Sequence, residues 1–406
     1  AVIGYVVGER FTPHHLVLRY FERVAAASPR VRLDTLGRTF EGREIVMAVV
    51  TSEANMARLD EIRAQTQRLA AGGAAGPEAA GMPAIAWLGF TVHGNEASGT
   101  EASLALLHRL AAFQDEETRR VLDSVVVLID PVQNPDGHER HVQDNLRLRG
   151  ALGVPVTPGT MVHSGNWPGG RTSHYYFDLN RDWFIQSHPE SRARVQGAFN
   201  RWWPHVAVDL HEMGSNSTYF FAPPMEPVNS NVPQGIRDWW DVYAAANAAA
   251  FDANGWAYFR REGYDEFYPG YGVSWPILNG AIGATFEQVV CKETYVGLDA
   301  IGGFRERRVG EVVLCPARVS AEGQAEEERQ LEEASQKALY AAAETQNVRR
   351  RLEAGGDGLV GRGQPGLGEL GEERGQQRLG PLTVDTGHAL DRQQHPGQGG
   401  PPRVLD

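Results

Sequence analysis

Short apolar runs and helical periodicities alternate along the first 290 or so residues. "HLVLRYFERVAAA" places Leu16, Tyr20, Phe21 and Val24 at helical spacing. "EIVMAVV" and "PAIAWLGF" are short and almost continuously apolar, the pattern of strands buried on both faces. "SVVVLID", from Ser124 to Asp130, is rich in β-branched residues and predicts another strand. "HVAVDLH", His205 to His211, and "AIGATFE", Ala281 to Glu287, predict two more. Helical patterns fall between them: the segment after Glu96, "HPESRARVQGAFNRWW", and "GIRDWWDVYAAANAAAFDANG" with a glycine stop at Gly255. "AAGGAAGPEAAGMP" reads as a loop. The alternation predicts an α/β layer around a mainly parallel or mixed buried sheet.

Polar residues interrupt this pattern where the strands stop. His93 and Glu96 follow one strand, and "NPDG", Asn134 to Gly137, follows a second. His211 ends a third and Glu287 a fourth. Open α/β sheets bind ligands beyond the carboxyl ends of their strands, so four strands are expected to deliver these groups to one edge.

Composition narrows the chemistry. The 406 residues suffice for one large domain or two smaller ones. A formal net charge of -12 argues against a nucleic-acid partner. No apolar run approaches the ~18 residues of a membrane span. Two cysteines, Cys291 and Cys315, make no disulfide framework. The sequence begins at Ala1, which suggests a form trimmed of a signal and an extracytoplasmic location, secreted or periplasmic.

Two histidines and one glutamate are a common ligand set for catalytic zinc, with water in the fourth position. An HxxE pair alone is weak, because surface His/Glu pairs are frequent. His211 alone would more often be a hydrogen-bonded strand-end histidine, and Glu287 alone a solvated carboxylate. Their joint placement at strand ends is what favours a single zinc ion held by His93, Glu96 and His211.

In this order, "HGNEASG", "NPDG", "DLNRDW", "DLHEMG" and "TFEQ" resemble the motifs of the zinc carboxypeptidases of the carboxypeptidase A type. The resemblance runs from about Gly8 to Gln288. It implies a twisted mixed sheet of about eight strands flanked by helices. It implies one zinc on His93, Glu96 and His211, with Glu287 as general base and acid. Asn180 and Arg181 match the pair that binds the terminal carboxylate of a peptide. The family's carbonyl-polarising arginine lies about fifteen residues after the start of "NPDG", which points to Arg149, with Arg147 as the fallback. A tyrosine upstream of the glutamate is also implied; spacing leaves Tyr268 and Tyr271 open, with Tyr268 favoured. His14, His15, His163, His174 and His205 match nothing and are expected to be structural or superficial. Val273 and Trp275 suggest an apolar terminal side chain.

The implied activity is hydrolysis of the C-terminal peptide bond of a peptide carrying a free carboxylate. A related zinc hydrolase of acyl-amino acids or side-chain amides would not need the Asn180–Arg181 clamp. A non-catalytic peptide-binding module would be expected to lack a ligand or the base.

Composition changes near residue 290. All nine tryptophans lie at or before Trp275, whereas both lysines and both cysteines lie after 290. "AEEERQLEEASQKALYAAAETQNVRRRLEA" predicts a helix with a thin apolar stripe. The stretch from about Gly355 to Pro402 is rich in Gly, Gln, Arg and Pro and is expected to be disordered. Residues 1–290 are expected to form the catalytic domain. Residues 291–406 are expected to be an atypical tail, foreign or out of frame.

Overall fold

A computed structural model describes residues 2–73, 81–148, 167–213 and 217–289. The helix expected near residues 325–354, the low-complexity stretch after it, Arg149 and His163 lie outside these residues.

Eight strands form one sheet, in the order β1-β2-β4-β3-β5-β10-β6-β8. They are β1 (Val31–Arg38), β2 (Glu44–Val50), β3 (Ala84–Phe90), β4 (Val125–Asp130), β5 (Val206–Met213), β6 (Tyr219–Phe221), β8 (Tyr258–Phe259) and β10 (Ile282–Val289). β7 (Met225–Val228) and β9 (Asp265–Glu266) make a separate parallel pair. The central strands β4, β3, β5 and β10 are mutually parallel. Antiparallel strands flank them on each side, β2 against β4 and β6 against β10. The sheet is therefore mixed, as the motifs implied, and the expected α/β layering holds.

Alternation along each central strand divides the core in two. Ala48, Val50, Val127 and Ile129 pack with Val17 and Phe21 of helix His14–Ala27 and with Leu104, Leu107 and Leu110 of helix Ser98–Ala112. Met47, Val49, Val126 and Leu128 face the other way, onto Ile62, Phe199 and three buried tryptophans, Trp87, Trp183 and Trp202. Both faces are covered, which is why these strands read as apolar runs without a polar face. Each buried side chain of this size contributes about 1.5–3 kcal/mol relative to exposure.

The expected helix over 188–203 is broken into Pro189–Arg194, a π-turn at Val195–Phe199 and a last turn at Asn200–Trp202. Among the described residues, no helix is long and apolar enough to cross a membrane.

Candidate active site

The parallel order of β4, β3, β5 and β10 puts the ends of the four chemistry-bearing strands side by side. Past β3 the chain turns sharply at Thr91, whose φ of 59° is unusual for a β-branched residue. Its hydroxyl is fixed by the Thr100 hydroxyl at 2.9 Å and by the Glu96 carbonyl at 3.2 Å. This turn aims His93 and Glu96 across the end of β5. Gly94 is required by close approach: an added Cβ would lie 2.1 Å from the His138 nitrogen. "NPDG" thus acts as scaffold, opening helix Pro135–Leu148 against the back of the His93 loop.

His93, Glu96 and His211 are all buried, and one donor atom from each lies within 4.8 Å of the others. His93 Nδ1 is 2.7 Å from Glu96 Oε1, and His211 Nδ1 is 3.0 Å from Glu96 Oε2. The outer nitrogens face carboxylates: His93 Nε2 lies 3.0 Å from Asp178, and His211 Nε2 lies 2.8 Å from Asp209. An ionised carboxylate only accepts, so each Nε2 carries a proton. Each Nδ1 also faces an oxygen of Glu96, so the space between them needs positive charge, supplied by a second proton on the ring or by a cation bound to the neutral imidazole. Such a site suits a cation, and carboxylate–histidine pairs of this kind orient metal-binding imidazoles. The donor set fits zinc.

Without an ion, protons on the two imidazoles supply that positive charge. Burial opposes charge on His211, but Asp209, Glu287 and Glu96 outweigh it and raise its pKa well above the ordinary value. His93 is raised too, because Glu96 and Asp178 overcome its burial. Burial would raise Glu96, yet the two histidines hold it well below the usual carboxylate range. Behind His211 a buried chain continues inward. Gln133 donates to Asp209 at 2.8 Å, and Arg194 bonds Asp130 at 2.6 Å and the Gln133 carbonyl at 2.9 Å.

Glu41, Asp136 and His174 form a second cluster of possible donors. Arg43 already sits in it, 2.6 Å from Glu41 and 2.7 Å from Asp136, so its charge is met from within the protein.

Glu287 is buried and pairs in the β5–β10 ladder with His211. Burial pushes its carboxyl up to about 7; Glu96 and Asp209 add to this, while His211 and His93 oppose it.

The sequence model of one family, described as zinc carboxypeptidase, matches residues 17–215, a span that contains His93, Glu96 and His211. Residues 17–215 are a zinc carboxypeptidase-like segment.

Two relatives show how far this zinc carboxypeptidase likeness extends. "Probable carboxypeptidase 2" of Arthroderma benhamiae is 28% identical over 165 residues, 37% of this chain and 25% of that protein. "Carboxypeptidase 2" of Trichophyton rubrum is 27% identical over 163 residues, 37% of this chain and 24% of that protein. The chain thus matches about a quarter of the length of these curated relatives. Among solved structures, a metallo-carboxypeptidase from Burkholderia cenocepacia is similar over 85% of this chain and 71% of its own, with 18% identity and a TM-score of 0.48. The carboxypeptidase A of Helicoverpa armigera is similar over 82% and 74%, with 16% identity and a TM-score of 0.47.

The expected clamp pair lies beside the His93–Glu96–His211 donor set, with Asn180 nearest to it. Asn180 Oδ1 accepts from the Gly272 nitrogen at 2.6 Å, and its Nδ2 lies 3.4 Å from His211 Nε2. Arg181 is exposed, donates to the Asn180 carbonyl at 2.8 Å, and stands 4.8 Å from the centre of the Tyr271 ring. Tyr268 donates to the Arg181 carbonyl at 3.1 Å. Both expected tyrosines therefore border Arg181. A third tyrosine, Tyr264, feels Glu287 and Glu96: burial raises its pKa first, then these two carboxylates.

The count along the chain points to Arg149, with Arg147 as the fallback. Arg147 is on helix Pro135–Leu148, exposed and paired with Asp144 at 2.8 Å. Arg149 lies outside the described residues. Among the described residues, Arg171 reaches the donor set, with Nη1 3.3 Å from Glu96 and Nη2 3.2 Å from Asp178. Its carbonyl accepts from Asn134 Nδ2 at 3.1 Å, so "NPDG" positions it through space. Its place seven residues before Asp178, in "GGRTSHYYFDLNRDW", was the available signal.

The remaining expectations resolve simply. His14 and His205 are buried and bond to backbone at Glu44 and Ile85, and His174 pairs with Glu41. Val273 is buried among Trp240, Ile277 and Ala284, and Trp275 packs on the tryptophan-lined core. Both are core residues, which removes the basis for inferring an apolar terminal side chain from them.

Proposed function

We propose that the chain is a zinc-dependent metallocarboxypeptidase that removes C-terminal residues from peptides. The observation that carries this is the convergence of the buried His93–Glu96–His211 donor set with Glu287 opposite His211 and Asn180–Arg181 beside it. Zinc held by the two imidazoles and Glu96 supplies a Lewis acid that brings the pKa of water toward neutrality. Glu287, held opposite His211 by the β5–β10 register, takes a proton from the attacking water and delivers it to the leaving amine. Arg171 presents a fixed cation where the carbonyl oxygen gains negative charge. Arg181 grips the terminal carboxylate through its planar fork, and Asn180, held by Gly272, adds a neutral donor. The clamp confines cleavage to the last peptide bond, because only there does a free carboxylate lie one residue away.

Metal analysis combined with hydrolysis of N-blocked dipeptides tests this. One zinc per chain and chelator-sensitive release of the terminal amino acid are the expected results. Equal cleavage of the corresponding C-terminal amides would transfer the assignment to an amide hydrolase.

A further inference from the structure

β5 and β10 run in register, so His211 pairs with Glu287 and the next residues, Glu212 and Gln288, pair with each other. Side chains alternate along a strand, which turns Glu212 and Gln288 away from the face that carries His211 and Glu287. Both reach Ser98, the first residue of helix Ser98–Ala112 and two residues beyond Glu96. Glu212 Oε1 accepts from the Ser98 nitrogen at 2.6 Å and the Gly99 nitrogen at 3.3 Å. The Ser98 hydroxyl donates to the same oxygen and accepts from Gln288 Nε2. The Glu212 nitrogen donates to Glu96 Oε2 at 3.1 Å, closing a ring through Glu96, Ser98 and Glu212. All three brace residues are buried.

We propose that Ser98, Glu212 and Gln288 form a brace of positioning residues. It locks Glu96, His211 and Glu287, carried by three separate elements, into one working geometry. The proposal rests on the hydrolytic role given to this site. Capping of the helix explains the bonds from the Ser98 and Gly99 nitrogens to Glu212. It does not explain why Gln288 reaches the same hydroxyl, or why Glu212 also holds Glu96. A ligand and the acid/base group are each one or two residues from a brace residue, so a slip in the brace moves them directly.

The test uses the full chain with Ser98→Ala, Ser98→Thr and Gln288→Met. Metal affinity is measured by competition with a chromophoric zinc chelator, and kcat and KM are measured on zinc-saturated protein. Partners behind metal ligands are worth roughly 10–100-fold in affinity or activity. Ser98→Ala should weaken zinc binding about tenfold at the low end of that range. Gln288→Met, which cuts only the link to β10, should leave zinc affinity within about twofold and lower kcat about tenfold at unchanged KM. Ser98→Thr, which keeps the hydroxyl, should restore both. Wild-type zinc affinity in Ser98→Ala overturns the proposal, as does a lowered melting temperature with affinity and kcat unchanged. If Gln288→Met does not fold, the zinc affinities of Ser98→Ala and Ser98→Thr decide. An inactive wild-type protein would contradict the hydrolytic role, and the same zinc affinities would still decide the brace.

Discussion

Glu287 on β10 lies directly across the parallel ladder from His211 on β5. Ladder partners on adjacent parallel strands share a face and are separated by about 4.8 Å. The carboxyl and the metal-side imidazole are therefore held together by backbone register, without a bond between the side chains. A group held in this way keeps its place when its charge changes, as an acid/base residue requires.

Replacing Glu287 by Gln preserves shape and removes proton transfer. Zinc content and peptide binding should be retained, while kcat falls by roughly 10²–10⁴-fold. Single-turnover kinetics on zinc-saturated protein check this, and near-normal turnover would remove Glu287 from the chemistry.

The same carboxyl links stability to pH. In the metal-free protein its pKa rises from 4.5 to about 7, with burial as the leading cause. A raised carboxyl keeps its proton in the folded state, so stability falls as pH rises between these values and is fully lowered above the upper one. Glu287→Gln does not titrate. Above pH 7 it should exceed the zinc-free wild type by on the order of 2–3 kcal/mol, the advantage vanishing below about pH 4.5. Urea denaturation of zinc-free protein at several pH values measures the difference; an advantage independent of pH would show that burial of this charge is not its source.

His211→Ala removes a donor and leaves Asp209 and Glu96 facing a cavity. Zinc should fall well below one per chain. Unchanged stoichiometry in metal analysis would place the ion elsewhere.

Arg181 accounts for the exopeptidase assignment. A hydrogen bond to a charged group contributes about 1.5–3 kcal/mol. Capping a good substrate as its C-terminal amide should therefore lower kcat/KM roughly tenfold to a hundredfold. In Arg181→Ala the preference for acid over amide should largely disappear. A wild-type enzyme that cleaves both alike has no carboxylate clamp at this position.

The sequence was most legible where burial is symmetrical. β2, β3, β4, β5 and β10 are buried on both faces, carry apolar runs, and were recognisable within two residues at each end. β1, "VRLDTLGR", carries charged residues on an edge strand and shows no such run. β6, β8 and β9 have three residues or fewer, too short to display a period. Site residues held within one turn or at a strand end, such as His93, Glu96, His211 and Glu287, could be located from local pattern. Residues brought in by contact between loops could not. Asn134 holds Arg171 across 37 positions, and nothing in local spacing encodes that bond.

Arg171 and the arginines nearer "NPDG" therefore give opposite expectations that one set of variants separates. Arg171 has its guanidinium 3.3 Å from Glu96 and 3.2 Å from Asp178, on a side chain that is 48% exposed. It is anchored at its backbone by Asn134, so the cation is fixed while its tip stays open to a substrate. Loss of one preorganised donor to a developing oxyanion costs roughly 10²–10³ in kcat. Arg171→Ala should fall in that range with zinc content unchanged, since the arginine supplies no ligand atom. Arg171→Lys should recover part of the loss, because it restores charge without the planar fork. Arg147, paired on the helix surface with Asp144, should tolerate alanine with kcat/KM within about twofold, as exposed ion pairs contribute little. If Arg149→Ala abolishes turnover and Arg171→Ala does not, the count from "NPDG" locates the carbonyl-polarising residue, and Arg171 serves only to balance the charges of Glu96 and Asp178.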